Sequence, residues 1–193
     1  MKSFEGFKPE APAAGFPMLP KGLYVARITA VKLDGTEPDQ RLIIRVEIQE
    51  GEYAGYYSRR FKADKERGGR FEPRYKGDYA IQVPNPGNPR RQHYDWDVRS
   101  FNGMIWAIED SNPGYHWDWN EQGLVGKAVG INVRQGTYNG SAYTTIGRLE
   151  SLERMKEGLV KVMKDAAPRG SAPAAEVDAD TGMAVVDDED IPF

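Results

Sequence analysis

Gly22-Leu23-Tyr24-Val25-Ala26-Arg27-Ile28-Thr29-Ala30-Val31-Lys32-Leu33 and, after Asp34 to Gln40, Arg41-Leu42-Ile43-Ile44-Arg45-Val46-Glu47-Ile48-Gln49-Glu50 decide the fold class. Both runs are rich in β-branched residues and alternate with a period of two, so both read as strands. In the first, Leu23, Val25, Arg27, Thr29, Val31 and Leu33 alternate with Tyr24, Ala26, Ile28 and Ala30, which predicts a strand buried on much of both faces. In the second, Leu42, Ile44, Val46 and Ile48 occupy one face, and Ile43, Arg45, Glu47 and Gln49 the other. One face packs on a core and the other meets solvent or a ligand. Asp34 to Gln40, with Gly35 and Pro38, is the loop between them.

Downstream, Gly51 to Gly55 is a turn and Tyr56 to Lys62 reads as a third strand. Ala63 to Tyr94 is polar, rich in Gly and Pro, and broken by one strand-like piece, Asp78 to Val83. So long a connection in a compact domain is expected to be functional. Over Asp97 to Asp110, Phe101, Met104, Ile105 and Ile108 recur at helical spacing, and Asn112-Pro113-Gly114 ends the helix. Leu124 to Gln135 is a fourth strand and Ala142 to Leu152 a fifth, joined by a hairpin turn on Asn139-Gly140. Leu152, Met155, Leu159 and Val162 predict a short closing helix. Upstream, Met1 to Lys21 mixes Pro, Ala and Gly with Phe4, Phe7 and Phe16. It reads as an extended arm, either pinned by its phenylalanines or disordered.

Three strands, a helix and a two-strand hairpin form the chain order of an OB-fold. The expected class is all-β with minor α: a five-stranded OB-fold barrel with a helix between strands 3 and 4, a short C-terminal helix and a disordered acidic tail. The chain divides into an arm (1–21), a body (22–165), a linker (166–186) too poor in apolar residues to fold, and a tip (187–193).

The net charge of −3 conceals an asymmetry: residues 1–165 hold 25 Lys and Arg against 22 Asp and Glu, and residues 166–193 hold 1 against 7. A mildly basic body carries an acidic tail. Residues 56–99 concentrate 11 basic side chains against 6 acidic ones among several aromatics, which is what a phosphate groove with stacking platforms requires. Cysteine is absent, so disulfides and thiolate metal sites are excluded and a reducing, cytoplasmic setting is expected. No signal-peptide-like or membrane-length apolar run occurs.

On strand periodicity Arg45, Tyr57, Arg59 and Phe61 are the first candidates for a ligand-facing wall, guanidinium groups holding phosphates while rings stack on bases. In the opposite register Tyr56, Ser58 and Arg60 face outward, and Tyr57 and Phe61 pack in the core. Arg90, Arg91, Tyr94 and Trp96 in the long connection form either a flap over that wall or a solvated loop. Arg134, Tyr138 and Tyr143 belong to the last hairpin, a recurrent oligonucleotide contact of the fold. No cofactor or metal site is expected: His93 and His116 have no carboxylate at ligand spacing, and no Walker, dinucleotide or Ser-His-Asp pattern occurs.

The chain closes on Asp187-Asp188-Glu189-Asp190-Ile191-Pro192-Phe193. Four acids can steer a partner, Ile191 and Phe193 can fill an apolar pocket, and the terminal carboxylate can pair with Arg or Lys. This heptad closely resembles the acidic tip of bacterial single-stranded DNA-binding proteins. The body resembles their phage-encoded relatives through the Gly22-Leu23-Tyr24 strand start, the Asn102-Gly103 to Ile108 helix and the Asn139-Gly140 hairpin. The resemblance implies a non-enzymatic protein of the bacterial host cytoplasm. It would coat single-stranded DNA in phage replication or recombination and recruit replication, repair or recombination enzymes through Asp187 to Phe193, with the oligomeric state left open. Two alternatives stand beside it. One is an OB-fold adaptor whose body binds protein. The other is a metal-dependent nuclease built on Pro38-Asp39 and Glu47-Ile48-Gln49, where Gln49 replaces the expected lysine.

Overall fold

A computed structural model describes residues 16–69, 71–88 and 94–168. Five strands, β1 (Gly22–Asp34), β2 (Arg41–Ile48), β3 (Asp78–Gln82), β4 (Ala128–Tyr138) and β5 (Ser141–Glu150), form one antiparallel sheet in the order β3-β2-β1-β4-β5. Three helices accompany them: α1 (Tyr56–Arg67), α2 (Tyr94–Asp110) and α3 (Leu152–Lys156), with a 3-10 turn at Glu121–Leu124. The sheet is open. The edge strands β3 and β5 approach within 8 Å between Cα atoms but share no ladder.

The central strand explains its own ambiguous pattern. A bulge between Ile28 and Ala30 breaks the register with β2, so the buried face runs Ala26, Ile28 and then Val31 rather than Ala30. Before the bulge β1 pairs mainly with β4, from Gly22↔Val133 to Arg27↔Ala128, and beyond it only with β2. The second strand follows its alternation closely: Leu42, Ile44, Val46 and Ile48 are buried at 0–2% exposure. Helix α2 closes the core from the side of the sheet opening, its Phe101, Met104, Ile105 and Ile108 forming one apolar stripe.

Tyr56 to Lys62 is not a strand. It begins helix α1, and the third strand comes from Asp78–Gln82 inside what the sequence presented as a connection. The reason lies in Glu47. Its carboxylate accepts the backbone N–H groups of Tyr57 (3.1 Å) and Ser58 (2.7 Å), the hydroxyls of Ser58 and Tyr75 (2.9 Å for Tyr75), and the N–H of Ile48 (3.1 Å). A buried anion thus serves the orphan donors of a helix N-terminus that Gly55 leaves without a side-chain cap. Further on, Arg60–Asp64 and Lys62–Glu66 are i,i+4 pairs, and Gly68, at φ 64°, ends the helix.

Several boundaries shift. Trp96 and Tyr94 lie on α2, Leu124 lies in the 3-10 turn ahead of β4, and the closing helix stops at Lys156. Gly158, at φ 71°, turns the chain out of α3, leaving Leu159 and Val162 exposed. The segment after it lies across the outer face of β4–β5. The buried Asn132 donates to Lys161 O (3.0 Å) and accepts from Met163 N (3.0 Å), and Ala166 N donates to Gln135 O (2.7 Å). Gly130 and Gly147 leave room for the Met155 and Met163 sulfurs. Phe16 packs edge-on against Tyr56 and Leu19 is fully buried, so the near end of the arm rests on the body. Phe4, Phe7, the linker from 169 and the tip lie outside the described residues. No helix among the described residues is long and apolar enough to cross a membrane.

Because Glu47 carries the start of α1, Glu47→Ala is expected to lower folding stability by about 3 kcal/mol, the scale of several lost hydrogen bonds to a buried charge. Glu47→Gln should lose roughly half of that, since one acceptor oxygen remains. Urea denaturation midpoints test this; an unchanged midpoint for Glu47→Ala would contradict the capping role.

Candidate nucleic-acid interface

The expected wall, β2 beside a strand from Tyr56 to Lys62, does not form, and its residues meet different fates. Arg45 does face outward from β2, but its guanidinium makes a two-bond pair with Asp78 (2.7 and 2.9 Å) and lies 4.5 Å from the centroid of the Tyr75 ring. Hydrogen bonding to Asp78 raises its pKa further, so the charge is permanent and already partly neutralised. Tyr57 is 4% exposed and belongs to the core cluster, where burial pushes its hydroxyl pKa up. It has no face to offer a base. Phe61 is half-buried against Tyr75, with Lys65 Nζ 5.9 Å from its centroid. Arg59 is exposed on α1 and donates to Ala54 O. Arg45, Tyr57 and Phe61 meet at the Tyr75 ring, but the four residues form no common exposed wall: the strand periodicity that grouped 57, 59 and 61 does not hold on a helix.

Basic and aromatic groups instead converge at the sheet opening. Between the β3 and β5 edges lies an open cleft of about 1050 Å³, flanked by α2. Five arginines line it, Arg41, Arg99, Arg134, Arg148 and Arg154, against three acids, Asp78, Asp97 and Glu150. Several of these charges are already engaged within the body: Asp78 accepts from Arg45, Glu150 from Asn132, and Arg41 donates to Asp34 (2.8 Å). Trp96 and Trp106, 63% and 47% exposed, stand on α2 at the cleft, and the Arg154 guanidinium lies 5.8 Å from the Trp106 centroid. Arg134 presents a buried Nε with no hydrogen-bond partner among the described residues. Tyr79, on β3, has its pKa raised by burial against the opposing effect of the Arg148 charge, so it stays a neutral hydroxyl.

Of the sequence candidates, Trp96 and Arg134 join this cleft. Tyr94 is exposed at the start of α2. Tyr138 is 58% exposed at the hairpin end of β4, and the Tyr143 ring crosses Gly136, where a Cβ would sit 2.6 Å from it. Arg90, Arg91 and the tip, Asp187 to Phe193, lie outside the described residues. Arg41, Tyr79, Arg99, Trp106, Arg148 and Arg154 were not singled out from the sequence. Arg99 and Trp106 were within reach of it, since they follow Trp96 at i+3 and i+10 on the side of the predicted helix away from its apolar stripe. Arg41, Tyr79 and Arg148 reach the cleft only through strand pairing, and Arg154 reaches it from α3.

Asp39 and Glu47, the carboxylates of the nuclease alternative, belong to separate networks. Asp39 accepts from Gln82 (3.2 Å) and Asn88 (3.1 Å), and Glu47 holds α1. Among the described residues no three His, Cys, Asp or Glu side chains gather as a metal site would require. Compared with protein-family models and with curated proteins, the chain matches none.

Proposed function

We propose that the chain binds single-stranded DNA with little sequence preference through an OB-type body, and recruits replication, repair or recombination enzymes through its C-terminal tip. The observation that carries this reading is the cleft, in which two exposed tryptophans stand among five arginines at the opening of the sheet. Guanidinium groups hold phosphates of any sequence. Indole faces stack on any base at about 1–3 kcal/mol each, and both require an unpaired strand. The strand order supports the barrel reading: β3-β2-β1-β4-β5 is an open sheet in the order that a five-stranded barrel would have if its β3 and β5 edges were joined, and α2 lies between the third and fourth strands. The resemblance of Asp187 to Phe193 to the bacterial tip, and of the body to phage-encoded relatives, supports the setting in replication or recombination. Function follows from occupancy: the protein shields unwound DNA while its tail concentrates a partner enzyme beside it.

One observation favours the adaptor alternative. The unpaired β3 and β5 edges that face the cleft could take an added strand from another protein. A fluorescence titration with labelled single-stranded oligonucleotide, with and without Mg²⁺, separates the readings. Saturable binding without cleavage is expected. No binding would favour the adaptor, and Mg²⁺-dependent cleavage the nuclease. Arg148→Ala should weaken binding to all sequences alike and shrink the slope of log affinity against log salt by about 0.7. A full slope and intact affinity would remove Arg148 from the site.

The acidic tail belongs to the same electrostatic account. The strap that precedes it brings Met163 to the cleft, and a linker of about 20 residues reaches roughly 25 Å. Deleting Asp187 to Phe193 should therefore tighten DNA binding at low salt, with the gain fading near physiological ionic strength, where the Debye length is about 8 Å. Deleting Phe193 alone should abolish partner capture and leave DNA affinity nearly unchanged. Partner capture that survives loss of Phe193 would reduce the tail to a solubility device.

A further inference from the structure

We infer that α2 is a stacking track for the single strand. Trp96 and Trp106 hold the two ends of a short run of bases over Gly103, and the arginines of the β4–β5 side hold its phosphates. The inference rests on the single-strand reading and adds the path of the strand and the length it needs. Trp96, Arg99, Gly103 and Trp106 recur at i, i+3, i+7 and i+10, so they lie along one side of the helix. Ten residues of α-helix rise about 15 Å, which spans about four steps of bases stacked 3.4 Å apart. Trp96 is 63% and Trp106 47% exposed, with the Arg154 guanidinium near the Trp106 ring, and between them Gly103 leaves a gap: a Cβ placed on it would meet no atom within 4 Å. A glycine inside a helix costs stability, and here its effect is to leave open space between two aromatic platforms. Across the cleft stand Arg134, partly exposed, and Arg148, exposed. One wall stacks and the other attracts anions. The outer face of β2 offers neither as freely, because Tyr57 is in the core and Arg45 is paired with Asp78.

The test uses the full chain with oligothymidylates, read by anisotropy of a labelled strand and by quenching of tryptophan fluorescence. A hexanucleotide, long enough for both platforms, should bind far more tightly than a dinucleotide, with only gradual gains up to about 30 nucleotides. Trp96→Ala and Trp106→Ala should each weaken hexanucleotide binding by about tenfold or more. Trp119→Ala, which removes another exposed indole outside the cleft, should not. Gly103→Leu is the sharper probe: it should raise the thermal midpoint, because a good helix former replaces glycine in open space, and yet weaken binding by filling the track. Wild-type binding to the 30-nucleotide strand together with wild-type affinity in Trp96→Ala, Trp106→Ala and Gly103→Leu would overturn the track while leaving the single-strand reading intact. Absence of wild-type binding to that strand would overturn both.

Discussion

The pairing of β1 on both of its edges is the constraint from which the rest of the structure follows. A single strand of 13 residues must serve β4 in its first half and β2 along most of its length. It does so by a bulge between Ile28 and Ala30 that shifts which side chains face the core. With β1 in the middle, β3 and β5 become the two edges of the sheet. β3 has only five residues against ten in β5. At its entry Gly77 passes so close to Val46 O that a Cβ would sit 2.5 Å away, and just beyond its end stands Pro84. The edges come near each other and do not pair. Exposed edges invite unwanted strand addition, and here α2 lies along the gap. The cleft is what remains between that cover and the two edges.

A second interaction redirects the aromatic and basic residues that follow β2. Glu47 sits on the outer face of β2, where a solvated acid would ordinarily stand, and is instead 8% exposed beneath the start of α1 and Tyr75. Desolvating a carboxylate is unfavourable unless hydrogen bonds compensate. Two backbone N–H groups of the first turn of α1, the N–H of Ile48 and two hydroxyls supply them. Tyr56 and Tyr57 enter the core together as a consequence, and α1 takes the outer face that an Arg-bearing strand was expected to form. Arginines and exposed tryptophans thereby gather at the sheet opening and not on the outer wall.

The charge distribution links the cleft to the tail. A chain with a formal charge of −3 holds its positive excess in the first 165 residues and its negative excess in the last 28. In the cleft, five arginines face three acids; Asp78 and Glu150 accept hydrogen bonds from Arg45 and Asn132, and Arg41 is paired with Asp34. The strap over β4–β5 is tied by Asn132 to Lys161 and Met163.

The sequence by itself determined what rests on short-range periodicity and on composition. The core face of β2, the apolar stripe of α2, the Asn139-Gly140 hairpin and the opposed charges of body and tail were all legible, because alternation, helical spacing and αL-prone turn residues are local properties. The acidic heptad was equally plain as sequence, although its partner is not. Tertiary structure alone decided the identity of the third strand. Tyr56 to Lys62 satisfies a period of two as well as it enters a helix, and only the carboxylate of Glu47, about ten positions earlier and brought there by β2, resolves the choice. It also decided which arginines meet. Arg41, Arg134 and Arg148 come from three strands, and their convergence with Trp96 and Trp106 depends on β1 separating β3 from β5, a long-range pairing that no single stretch of the chain encodes.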